Sequence, residues 1–169
     1  YNCDCSDTET LVLYRVRFID NYIGIKYSNT TKSRPEMVKE CTFDNNTTGI
    51  ELYNSKVPIF GNWNSTNDRG VIKKSHTGIK LISSDIKLEQ TMVKSCDYGI
   101  DANSDCYVDL TYWKYYYQNT PRGVNNILMN NGTGIHLNFA TGNLSGIEEF
   151  PHSFVDNKAD IDYIVGPAI

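Results

Sequence analysis

The sequence predicts an all-β chain, a solenoid of parallel strands in about five coils with non-repeating ends. Three observations carry that expectation. Gly-Ile recurs at Gly24, Gly49, Gly78, Gly99 and Gly134. Apolar and polar residues alternate after each glycine, and an apolar position returns six residues before it. A fixed self-similarity of this kind dictates architecture before any other signal is read.

In chain order, residues 1–10 match no repeat and are expected to form an N-terminal cap or linker. The coils are expected over 11–142, with glycine spacings of 25, 29, 21 and 35 residues whose variation reads as loop insertion. One position after the glycine stand Ile25, Ile50, Ile79, Ile100 and Ile135, and three after it Tyr27, Leu52, Leu81, Ala102 and Leu137. Between these apolar columns lie Lys26, Glu51, Lys80, Asp101 and His136, all polar, which is a strand with one buried face. Six positions before the glycine, Phe18, Phe43, Ile72, Val93 and Leu128 imply a second inward-facing strand. Three before it, Asn21, Asn46, Ser75, Cys96 and Asn131 place a small polar residue at the bend, where it can bond its copies above and below. The glycine is expected where the chain turns with little hindrance. Residues 143–169 fall outside the repeat and read as a C-terminal cap or linker.

No single unit can bury its apolar row alone; parallel stacking at about 4.8 Å buries it. The alternating charges of Lys26, Glu51, Lys80 and Asp101 then attract vertically, each pair contributing a few tenths of a kcal/mol and favouring register over stability.

Length and composition bound the rest. A chain of 169 residues, 40% hydrophobic, suits one domain with a real core. The 16 basic and 20 acidic residues are well mixed, which offers no face for a phosphate backbone, so nucleic acid is not an expected partner. No apolar run approaches the roughly 20 residues that cross a bilayer, so no membrane insertion is expected. Cys3, Cys5, Cys41, Cys96 and Cys106 show no CxxC spacing, and zinc is not indicated. Cys96 and Cys106 could pair if folding brings them together, and buried thiols are the competing reading. Six Asn-x-Ser/Thr sequons, at Asn29, Asn45, Asn46, Asn64, Asn131 and Asn143, lend weak support to secretion, because composition alone gives about three.

The recurring small polar turn residue, Gly-Ile and second apolar position resemble the right-handed parallel β-helix repeat of pectate-lyase-like proteins, over roughly residues 11–139. The resemblance implies an extracellular or cell-surface location and admits polysaccharide lyases and hydrolases, phage tailspikes, adhesins and surface-layer proteins. In the enzymes of that family the working residues stand on the outer face of one parallel sheet. Here that face carries Lys80, Asp101 and His136, the catalytic candidates, against which stands the simpler reading of a salt-paired stripe. The Asn-Thr-Asp-Gly turn of polygalacturonase-like hydrolases is matched by Asn46-Thr47-Thr48-Gly49, without the carboxylate. Asp97, Asp101 and Asp105 are close in sequence but straddle a turn, and calcium wants six to eight oxygens, so no metal site is assigned. No cofactor motif occurs either.

Aromatic residues in the insertions are the candidates for ligand binding: Trp63 in GNWNSTND, and Trp113, Tyr115 and Tyr117 in TYWKYYYQNT. Aromatic faces outside a strand stack can hold sugar rings or a protein partner. The sequence therefore leads to the expectation of a non-enzymatic module with a rigid stalk or a glycan- or partner-binding surface, able to assemble with its own copies. A carbohydrate-active enzyme is the rival.

Overall fold

In the computed structural model the described residues are 11–32, 36–60, 70–89, 91–110, 115–117, 120–122, 127–138, 140–143 and 153–164. Among them the chain is all-β, with three six-stranded parallel sheets. The first holds Val12–Tyr14, Glu36–Lys39, Lys56–Phe60, Asp85–Glu89, Tyr107–Asp109 and Thr141–Asn143. The second holds Arg17–Ile19, Thr42–Asp44, Gly70–Lys73, Thr91–Lys94, Ile127–Met129 and Ser153–Val155. The third holds Ile23–Ser28, Thr48–Tyr53, Thr77–Ile82, Tyr98–Ala102, Thr133–Asn138 and Ala159–Ile164. A short antiparallel pair, Tyr115–Tyr117 with Thr120–Arg122, stands apart.

The chain visits the first, second and third sheets in turn, and the predicted columns are the observed pairing registers. Ile25, Ile50, Ile79, Ile100 and Ile135 are successive partners. So are Phe18, Phe43, Ile72, Val93 and Leu128. Inward residues of all three sheets, among them Ile59, Ile72 and Ile79, share one core. The structure carries one unit more than the sequence suggests. Ser153–Val155 and Ala159–Ile164, in the segment expected to be a non-repeating end, pair in parallel with Ile127–Met129 and Thr133–Asn138. Phe154, Asn157 and Ile161 occupy the phenylalanine, asparagine and isoleucine columns, and Asp160 stands where the other units have glycine.

That glycine does not make the turn. No glycine among the described residues has a positive φ. The left-handed residue is Asp20, Asn45, Lys74, Ser95, Asn130 or Asp156, one position before the small polar column, with φ between 52° and 59°. The glycine has a different reason: a Cβ at Gly24, Gly78 or Gly134 would lie 2.5 Å from the carbonyl oxygen of Gly49, Gly99 or Asp160 in the following unit. Stacking at this closeness excludes any side chain.

At the bend the asparagines of the later units reach back one unit, whereas Ser75 Oγ and Cys96 Sγ donate to carbonyls of their own unit, those of Lys73 and Lys94. Asn46 Oδ1 accepts the Asn21 N–H at 2.9 Å while its amide donates to the Phe18 carbonyl at 3.0 Å. Asn131 does the same for Cys96 and Val93, and Asn157 for Asn131 and Leu128. A second ladder, six or seven residues after the glycine, runs at the corner between the third and first sheets. There Ser55 Oγ accepts from Thr30 N–H at 3.1 Å, Ser84 Oγ from Ser55 N–H at 3.0 Å, and Cys106 Sγ from Ser84 N–H at 3.4 Å. Cys96 and Cys106 thus belong to different ladders and form no disulfide with each other; Cys41 is a third buried thiol. Cys3 and Cys5 lie outside the described residues. The sequons at Asn46 and Asn131 fall on side chains only 3% and 2% exposed, which are spent on these bonds.

The core contains one polar intrusion. In the first sheet Glu36 pairs with Ile59, which pairs with Leu88, so a carboxylate occupies a column otherwise filled by aliphatic side chains. It is buried, with Oε2 accepting the Leu11 N–H at 2.7 Å and Oε1 3.6 Å from the Lys32 ammonium. Among the described residues the Tyr27 hydroxyl, in the same interior, has no hydrogen-bond partner, nor has Glu36 Oε1. Burial first, and then the Glu36 charge, push the Tyr27 phenol well above its ordinary 10.0.

Candidate functional site on the outer face of the third sheet

Strand alternation puts the residue between the two inward columns on the outside, and parallel pairing aligns these residues vertically. Lys26, Glu51, Lys80, Asp101, His136 and Asp162 form this stripe in register. Lys26 Nζ lies 2.7 Å from Glu51 Oε1, and that hydrogen-bonded carboxylate raises the lysine pKa above 10.5. The ammonium also stands 5.5 Å from the centre of the Tyr53 ring. His136 Nδ1 is 2.9 Å from Asp101 Oδ1, and its Nε2 is 3.8 Å from Asp162 Oδ2. Lys80 sits between Glu51 and Asp101 and, among the described residues, makes no ion pair with either. The three catalytic candidates are therefore in one column, but only Asp101 and His136 are in contact.

The structure adds neighbours that the sequence reading passed over. Tyr98 occupies the column just before the glycine, where the other units have Ile23, Thr48, Thr77, Thr133 and Ala159. Its ring lies 5.4 Å from that of His136 and 5.9 Å from that of His76, the latter edge-on. His76 Nδ1 is 2.7 Å from Asp97 Oδ2, both exposed. Two histidines thus flank one tyrosine, each with its own aspartate. A lone aromatic in a threonine column was the available signal. Asp162 was out of reach because its unit lacks the glycine. Asp97 and Asp101 serve separate histidines, and Asp105 stands at the other corner with φ of 62°, so the three aspartates do not converge.

Chemically, the Asp101–His136 pair has one feature of a general base, a carboxylate fixing the imidazole. A working base must also aim its second nitrogen at a substrate, and here that nitrogen faces Asp162. Elsewhere, a shallow open hollow on the first sheet is lined by Lys56, Pro58, Asp85, Lys87, Tyr107 and Asp109. The Lys56–Asp85 ion pair closes at 2.7 Å in it, and Tyr107 is exposed. Of the aromatic candidates, Trp63 and Trp113 lie outside the described residues. For Tyr115 and Tyr117 the backbone alone is described, in the antiparallel pair.

No family model, curated protein or solved structure matches the chain.

Proposed function

We propose that the chain is a right-handed parallel β-helix serving as a non-enzymatic module of an extracellular, cell-surface or phage-fibre protein. Its role is a rigid stalk or a binding surface for glycans or a protein partner. Support for the coil comes from the order of visits, first sheet to second to third in every unit, around one shared core. Parallel crossovers are right-handed in nearly all sheets. The observation that carries the functional half is the placement of His136, with both ring nitrogens toward carboxylates of adjacent units. Within the stripe Lys26 is paired with Glu51, and His136 with Asp101 and Asp162, across the strands, as a register device would pair them.

A carbohydrate-active enzyme is the second reading, favoured by the Asp101–His136 contact itself. A glycan array followed by product analysis on any polysaccharide that binds separates the two. Binding without cleavage, lost in Trp113→Ala, is the expected result. Cleavage that vanishes in Asp101→Ala and in His136→Ala would establish the enzyme instead. Failure to bind any glycan would leave a structural role or a protein partner.

A further inference from the structure

The two ends of the stack correspond in five columns of the second and third sheets and the bend between them. At the last unit stand Phe154, Asn157, Ile161, Asp162 and Tyr163; at the first, Phe18, Asn21, Ile25, Lys26 and Tyr27. Within the chain these columns hold neighbouring units together by aromatic stacking of Phe18 on Phe43 at 4.8 Å, by the Lys26–Glu51 ion pair and by the asparagine ladder. A second copy set on the last unit in the same register would bring Lys26 to Asp162 and Asn21 to the Asn157 N–H. The last strand, Ala159–Ile164, is exposed throughout, with Ile161 at 46% and Tyr163 at 52%. An open apolar strand of this kind invites addition of another.

The glycine column does not correspond: it ends on Asp160. Five built Cβ positions, at Gly24, Gly49, Gly78, Gly99 and Gly134, all collide with the carbonyl oxygen of the same column one unit further on. The direction is the same each time, toward the C-terminal side. A residue with a Cβ is tolerated only where no strand follows at that spacing. Asp160 adds a carboxylate, a second acceptor, where an arriving carbonyl oxygen would have to sit. Its Oδ1 instead accepts the Asn157 amide at 3.1 Å.

We propose that Asp160 is a stop residue, which prevents the first unit of a second copy from stacking in register on the last unit. The inference rests on the continuous stack proposed above. The occupant it excludes is this chain's own N-terminal end, which the five corresponding columns would accept.

Sedimentation velocity over a wide concentration range, on the full chain and on Asp160→Gly, Asp160→Ala and the double variant Asp160→Gly/Lys26→Glu, tests it. The expected results are a wild-type mass independent of concentration and an Asp160→Gly mean mass that at least doubles as concentration rises. Asp160→Ala, which keeps the Cβ, stays like wild type. The double variant, which sets a second carboxylate against Asp162 across the junction, loses most of the assembly. Wild type already growing with concentration, Asp160→Ala assembling like Asp160→Gly, or the double variant assembling undiminished would each overturn the stop. So would Asp160→Gly of unchanged mass with native circular dichroism and melting, and that result leaves the stack itself standing. Loss of the cooperative melt in Asp160→Gly also counts against the inference, since a stop residue is dispensable to the fold. Failure of the stack reading is distinguishable: wild type itself would then lack an all-β spectrum.

Discussion

Asn131 holds Cys96 by its backbone: Oδ1 accepts the Cys96 N–H at 3.0 Å, while the same amide donates to the Val93 carbonyl at 3.2 Å. One side chain, 2% exposed, therefore satisfies two backbone groups of the preceding unit. Truncation to alanine leaves both buried and unpaired, at about 1–3 kcal/mol each. Asn131→Ala is expected to lower stability by roughly 2–6 kcal/mol in urea unfolding. Asn21→Ala, at the exposed first unit, should cost under about 1 kcal/mol. Equal losses at the two positions would show that the ladder bonds carry no special weight.

Gly78 sits where a Cβ would meet both the Gly99 carbonyl oxygen at 2.5 Å and Val93 Cγ1 at 2.5 Å. Neither neighbour is the free end of a flexible chain, so the strands must part. Gly78→Ala is expected to cost about 3 kcal/mol or to abolish the cooperative melt. A melting temperature within a degree or so of wild type would refute the close-approach account of the glycine column.

The Tyr27 hydroxyl is buried without a partner among the described residues, beside an apolar core that would accept its absence. Tyr27→Phe should raise stability by about 1 kcal/mol, read from the urea midpoint. A fall of similar size would reveal an internal water joining the phenol to Glu36 Oε1.

Burial pushes the Cys96 thiol from its ordinary 9.0 up to about 11, against a smaller opposing bond from the Ser75 backbone. A raised folded pKa means that the folded state holds its proton longer, so this contribution is complete below about pH 9 and disappears between about pH 9 and 11. Its size is on the order of 2 kcal/mol. Cys41 and Cys106 shift the same way by burial. Cys96→Ser keeps a hydroxyl where Ser75 already serves in the same column, and should flatten part of the alkaline decline. An unchanged pH profile of stability would rule out Cys96 as a contributor. At pH 8, the three thiols should also resist alkylation until the chain unfolds.

Much of this was legible in the sequence where side chains face a shared interior. The Ile25-to-Ile135 and Phe18-to-Leu128 columns are pairing registers because burial tolerates only apolar side chains there. The first sheet was hidden from columns counted back from the glycine, because the insertions fall between its strands and the second sheet. Counted forward from the preceding glycine, Lys56, Asp85, Tyr107 and Thr141 stand seven or eight residues on, while Glu36 breaks its aliphatic column. The sixth unit was missed because the glycine is required only where another strand follows, so an alignment anchored on glycine stops one unit early. At the site, the stripe from Lys26 to His136 was readable from alternation, whereas Tyr98 between His76 and His136 depends on lateral neighbours on the outer face. Sequence spacing does not encode these when the strand pairs are 21 and 35 residues apart.

The asparagine side chains at Asn46, Asn131 and Asn157 all reach toward the unit before their own. The corner therefore has an arrow. Each of these asparagines closes two backbone groups of its predecessor and leaves its own backbone N–H to the unit that follows. Loss of the last unit would strip the Asn131 N–H and the Leu128 carbonyl of their partner, whereas loss of the first would leave the Asn46 side chain without the two backbone groups it holds.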